Sequence, residues 1–105
     1  MLYDDMQGHD ARLDGVEFDV EKRTALIHLL AYPDTNASKR VAISILFDGV
    51  TSLALNADLV SLARNRSAGH VNHWHIAERE GTPHIYLTEG YIGISSQSAP
   101  QLLLR

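Results

Sequence analysis

Leu13-Asp14-Gly15-Val16-Glu17-Phe18-Asp19-Val20-Glu21, followed by Lys22-Arg23 and then Thr24-Ala25-Leu26-Ile27-His28-Leu29-Leu30-Ala31-Tyr32, is the stretch on which the fold turns. From Val16 to Glu21 apolar and acidic residues alternate strictly. Val16, Phe18 and Val20 fall on one face, Glu17, Asp19 and Glu21 on the other. A period of two is the mark of a strand with one wet face. Leu13 has the opposite parity, so Asp14-Gly15 is read as a bulge that restores the register. Glu21-Lys22-Arg23 makes a tight connection. The segment from Thr24 to Tyr32 is apolar on both faces, which places it in the middle of a sheet rather than at its edge.

Outward from this hairpin the chain continues in short strands. Pro33-Asp34-Thr35-Asn36 is dense in turn formers. Val41, Ile43, Ile45 and Phe47 line one face of a third strand, closed by Asp48-Gly49, and a fourth runs from Val50 to Leu55. A helix of about three turns is expected next. Asn56 serves as its N-cap and Asp58 sits in the first turn. Leu55 and Val60 are spaced as a staple, and Leu59, Leu62 and Ala63 share the face that meets the sheet. Arg64 and Arg66 suit the last turn and Gly69 the stop. Residues 70–79 and 84–89 read as a hairpin through Glu80-Gly81-Thr82. Gly90 turns the chain into Tyr91–Ser96, and Ala99-Pro100 breaks it before Leu102-Leu103-Leu104. The predicted class is α+β, mainly β. Seven or eight short, mostly antiparallel strands form a sandwich or curled sheet, with one helix inserted after the fourth strand. Residues 1–105 are expected to make a single domain, 1–8 being a loose N-terminal tail.

Composition narrows the function classes. The 105 residues are 45% hydrophobic and 21% charged, ordinary for a globular protein with one core. There is no cysteine, which excludes disulfides, thiolate metal sites and thiol nucleophiles. The acidic start, Met1-Leu2-Tyr3-Asp4-Asp5, is unlike a signal peptide, and no apolar run is long enough to span a bilayer. A cytoplasmic location is therefore expected, with no membrane partner. The net charge is −4, and Lys22-Arg23, Lys39-Arg40 and Arg64-Asn65-Arg66 are its only basic clusters. Nucleic-acid binders concentrate positive charge on one face, so no nucleic-acid partner is expected.

The densest chemistry lies in Gly69-His70-Val71-Asn72-His73-Trp74-His75-Ile76. On a strand His73 and His75 share a side. Two imidazoles so spaced can hold one zinc, iron or copper ion if a neighbouring strand supplies a third ligand. His84 does so if the hairpin register sets it opposite, with Glu78 or Glu80 as further donors. The bland alternative has Trp74 and Ile76 in the core and both histidines on a solvated face, with no cofactor. His9-Asp10 is a second polar candidate, for which a capping or turn role is the simpler reading. Trp74, Tyr86 and Tyr91 are the aromatic residues best suited to an interface. Phosphate-cradling and nucleophile-elbow motifs are both missing.

His73-Trp74-His75 followed by Glu80 resembles the metal motif of cupins over about a dozen residues, without the downstream Gly-rich turn and histidine. Over most of the chain, a second resemblance is carried by His9-Asp10-Ala11-Arg12-Leu13, by Phe47, Gly49, Val50, Ser52 and Leu53, and by Gly69, Val71 and Trp74. It is to a group of small bacterial proteins of unknown function, loosely similar to the immunity proteins of toxin systems. That resemblance implies a small acidic domain that binds a partner protein. Three readings follow: a non-catalytic protein-binding module, a cupin-like metal-binding β-barrel protein or enzyme using His73, His75 and His84, and a structural homodimer. The partner is accordingly another protein or a copy of the chain itself.

Overall fold

The alternating segment forms the second half of β1 (Gln7–Asp19), which pairs antiparallel with β2 (Thr24–Tyr32). The computed structural model describes residues 7–34, 36–64, 71–75, 84–87 and 90–105. Of residues 7–10, 71–75 and 84–87 it describes the main chain. β3 (Val41–Asp48) lies on the far side of β2, and β8 (Gln101–Leu104) on the far side of β3. A second four-stranded sheet has the order β4 (Val50–Ala57), β7 (Gly90–Ser96), β6 (His84–Leu87), β5 (Val71–His75). Every pairing is antiparallel. The helix α1 (Leu59–Arg64) follows β4. The mainly β, α+β expectation holds, with its two sheets and its helix after the fourth strand.

β2 takes the central position that its two apolar faces require. Its burial alternates, with Ala25, Ile27, Leu29 and Ala31 buried and their neighbours half-buried. Ile43, Ile45 and Phe47 of β3 and Ile92 and Ile94 of β7 complete the core between the sheets. The bulge is where the sequence puts it: Leu13 faces Leu29 and Gly15 faces His28, leaving Asp14 as the extra residue. Gly49 turns the chain from the first sheet into the second. Its φ of +64° is easily reached only without a β-carbon, and its carbonyl accepts the Gln97 amide at 2.9 Å. Arg23 also holds a positive φ, 54°, and its carbonyl accepts the Val50 amide at 2.9 Å. The β1–β2 turn is thereby fastened to the start of β4.

Several expectations are corrected. β1 starts at Gln7, inside the stretch expected to be a tail, and ends at Asp19, so Val20 and Glu21 belong to the turn. There the Asp19 carboxylate accepts the Lys22 amide at 2.9 Å, which closes the turn before the alternation runs out. β4 continues to Ala57 because Asn56 and Ala57 still face Tyr91 and Gly90. Asn56 is therefore a strand residue, and the helix cap is Asp58. Its carboxylate accepts the amides of Val60 and Ser61, both at 3.1 Å. Leu59, Leu62 and Ala63 do share one face, but it borders an open groove rather than a closed core. Leu62 is buried as expected, whereas Leu59 and Ala63, expected against the sheet, are exposed. The expected stop at Gly69 and the Glu80-Gly81-Thr82 turn lie outside the described residues. Among the described residues no helix is long and apolar enough to cross a membrane.

Candidate functional site

Phe18 and Val20 have the parity of core residues, yet Phe18 is 57% exposed and Val20 more so. β4 explains why. Among the described residues it pairs with β7 along one edge only, and grooves separate it from β1. Two grooves succeed one another along this seam. The first, about 440 Å³, has Leu13 and Val16 of β1 on one wall and Leu55, Leu59 and Leu62 on the other. The second, about 370 Å³, lies between Phe18, Val20 and Arg23 on one side and Val50–Leu53 on the other. Leu55, Leu59 and Val60 are exposed, Leu59 by 74%. Four of the seven large apolar side chains that the described residues expose, Phe18, Val20, Leu55 and Leu59, thus gather on one seam; Val60 is on the adjoining helix, and Leu103 and Leu104 are on β8.

The bulge sets a polar cluster at the rim of the first groove. The Asp14 carboxylate receives the Arg12 Nε at 3.0 Å and the Arg105 Nη2 at 3.4 Å. Arg105 also donates from Nε to the Ile43 carbonyl at 3.0 Å and from Nη2 to the Leu29 carbonyl at 2.7 Å. Its guanidinium thereby links the end of β8 to β1, β2 and β3. Two guanidinium groups against one carboxylate leave this rim locally positive in a chain whose net charge is −4.

A second polar line crosses the outer face of the first sheet. The register places Ser44 directly opposite His28. The Ser44 Oγ lies 2.7 Å from His28 Nδ1, and His28 Nε2 lies 3.5 Å from a Glu17 carboxylate oxygen. The order carboxylate, imidazole, hydroxyl is that of a nucleophile with its base and orienting group. Access decides against such a role: Ser44 is only 2% exposed, so its oxygen has no open side for a substrate carbon. Glu17 is 77% exposed on its side chain, where water screens its interaction with the ring. The line is a structural brace across three strands.

The histidine cluster is placed through its main chain. β5 and β6 form the expected hairpin pairing, with His75 opposite His84, Trp74 opposite Ile85 and His73 opposite Tyr86. The register therefore meets the condition set for His84. The side chains of His73, His75, His84, Trp74 and Tyr86, and all of Glu78 and Glu80, lie outside the described residues. Among the described residues no three of His, Asp and Glu gather to hold a metal ion. His9 and Asp10 lie within β1, and their side chains too are outside the described set. Tyr91 is half-buried, and its ring lies across Gly93, where a β-carbon would collide with the phenol.

Sequence reasoning missed His28, Ser44, Arg105 and the role of Asp14 between two arginines. Ser44 leaves one trace, a lone hydroxyl between Ile43 and Ile45. The grooves leave none, because they arise where a strand lacks a neighbour. No protein-family model, curated protein or solved structure matches the chain.

Proposed function

We propose that this chain is a non-catalytic protein-binding module whose contact surface is the seam between β1 and β4. The observation that carries the reading is the collection of exposed Phe18, Val20, Leu55 and Leu59 along two adjoining apolar grooves. Exposed apolar surface concentrated in one place, with charged groups at its margin, is the usual character of an interaction site. The Glu17–His28–Ser44 line supports the same reading, since its hydroxyl is closed to substrate. An immunity-like role is the form of binding that the sequence resemblance suggests. A net charge of −4 suits a basic partner, whose approach it accelerates. A cytoplasmic setting belongs to the same proposal, and the cysteine-free composition is compatible with it.

The test is capture of a partner by the tagged chain and by two variants. Leu55→Asp/Leu59→Asp charges the seam, and Leu103→Asp charges the far edge of the first sheet. A partner held by the wild type and by Leu103→Asp, and lost from the seam variant, is the expected result. Equal retention by all three proteins removes the seam from the account.

One observation favours a second reading, a zinc, iron or copper ion held by His73, His75 and His84: the register sets His75 opposite His84. Metal content of the untagged protein, measured beside His73→Ala/His75→Ala, decides it. About one equivalent that the double variant loses supports the site, while a metal-free protein after reconstitution ends that reading.

A further inference from the structure

We infer that the seam's first occupant is a second copy of this chain, joined by antiparallel pairing of β4 with β4 across a two-fold axis at Ala54. The inference rests on the reading of the seam as a contact surface and names what covers it. β4 is Val50-Thr51-Ser52-Leu53-Ala54-Leu55-Asn56-Ala57, eight residues with no charge and no proline. Lysine, inward charge, proline and bulges are devices that blunt an edge strand against further pairing. β4 carries one, a bulge at Thr51, and none from Ser52 to Ala57, and among the described residues it pairs with β7 alone.

The sequence of β4 is complementary to itself in this register. With Ala54 opposite Ala54 of the copy, Leu53 faces Leu55 and Ser52 faces Asn56, the regular register ending at the bulge at Thr51. Opposed residues share a face, so a two-fold centred on a residue keeps both core-side faces together and joins the two second sheets edge to edge. No like charges meet, which would oppose the pairing. The ends complement each other as well. Beyond the bulge, Asp58 of one copy comes towards the Val50 end of the other, where the Arg23 carbonyl holds the Val50 amide. An exposed acid at the head of the helix thus approaches an exposed guanidinium whose hydrogen-bond partner is the neutral Gln97. The helix follows the strand on the core side, where Leu59 lines the first groove. The axis carries Leu59 and Val60 towards the copy's second groove, where Phe18 and Val20 stand exposed. Each copy therefore offers two exposed apolar side chains at one end of β4 and receives two at the other.

The size of the surface sets the strength. β4 with Phe18, Val20, Leu59 and Val60 amounts to about half of the roughly 20–30 residues a side that a standard interface uses. The dimer is therefore concentration-dependent rather than obligate.

The test uses the full chain, which has no native cysteine. Ala54 is exposed, so substitution there leaves the monomer core intact. Paired residues across antiparallel strands sit about 4.5–5.5 Å apart at Cα, within the span of a disulfide. Oxidised Ala54→Cys is expected to cross-link at least tenfold faster than Lys39→Cys, an exposed control in the β2–β3 connection. Sedimentation over a micromolar to millimolar series should show a dimer for the wild type and monomers for Ala54→Lys and Ala54→Asp separately. A one-to-one mixture of those two variants should restore the dimer, because the opposed charges then attract. A chain monomeric throughout the series, or a dimer indifferent to Ala54→Lys, overturns the inference. A monomeric chain that still captures another protein through the seam overturns self-pairing and leaves the contact-surface reading standing. Ala54-dependent dimerisation with no capture supports self-pairing and removes the other partner.

Discussion

Replacing Ser44 by alanine and His28 by leucine, singly and together, isolates the polar pair of the first sheet. The 2.7 Å separation between Oγ and Nδ1 is short for a neutral hydrogen bond to nitrogen. Ser44 is 2% exposed, so water does not replace a lost partner. The His28 side chain is 21% exposed, so its freed nitrogen still meets water. Ser44→Ala therefore removes a net hydrogen bond of about 1 kcal/mol and strands little. His28→Leu strands a buried hydroxyl, at about 1–3 kcal/mol, partly offset by apolar contact with Leu26 and Leu30. In the double variant neither partner remains. Its loss is expected to fall short of the sum of the single losses by about 1–2 kcal/mol. Urea unfolding of all four proteins, followed by circular dichroism, supplies the midpoints and slopes. Single losses that add to within about 0.3 kcal/mol refute the coupling. Greater damage from Ser44→Ala than from His28→Leu contradicts the burial argument behind it.

Other substitutions probe the remaining supports. Phe47→Ala empties the largest fully buried side-chain position among the described residues and is expected to cost about 3–5 kcal/mol, read from the same denaturant midpoints. Asp58→Ala removes the helix cap and should cost about 1 kcal/mol, while Asn56→Ala, in β4, should cost clearly less; thermal melts of the two variants order them. Gly90 begins β7 at a φ of +154°, and a β-carbon there meets the Asn56 carbonyl. Gly90→Ala should therefore raise amide exchange in β4 and β7 and leave β2 and β3 protected. Asp14→Asn loosens a part-exposed cluster and should lower stability by less than about 1 kcal/mol, an effect that salt erases.

What was legible in the sequence was whatever depends on neighbours along the chain. Strict alternation from Val16 marks a half-wet strand, and the parity break at Leu13 requires the bulge that Asp14 makes. Two apolar faces place β2 centrally. What depended on distant pairing was hidden. Asn56 and Asp58 are equally good caps, and only the pairing of β4 with Gly90 and Tyr91 decides between them. Phe18 carries core parity, but burial needs a strand opposite it, and the sandwich is open there. The His28–Ser44 pair depends on the β2–β3 register. Residues 32–40 separate Ala31 from its partner Val41, and so long a connection does not dictate register as a two-residue turn does. The histidine cluster was legible as composition. Its hairpin register follows from the main chain, and the question it raises is one of chemistry.

The seam gives a physical reason for a small β domain to leave apolar side chains in water. Covering Phe18, Leu55 and Leu59 within one chain would need a further strand beside β4; in the proposed reading a partner supplies that cover from outside. In that proposal edge pairing would contribute main-chain hydrogen bonds, and the grooves would contribute selectivity through side-chain fit. Hydrogen exchange along the whole chain, compared between dilute protein and protein saturated with its partner or its own copy, tests this most directly. The account predicts added protection confined to β4, α1 and the β1–β2 turn from Phe18 to Arg23. Protection that appears instead along β8, or none at the seam under saturating conditions, contradicts it.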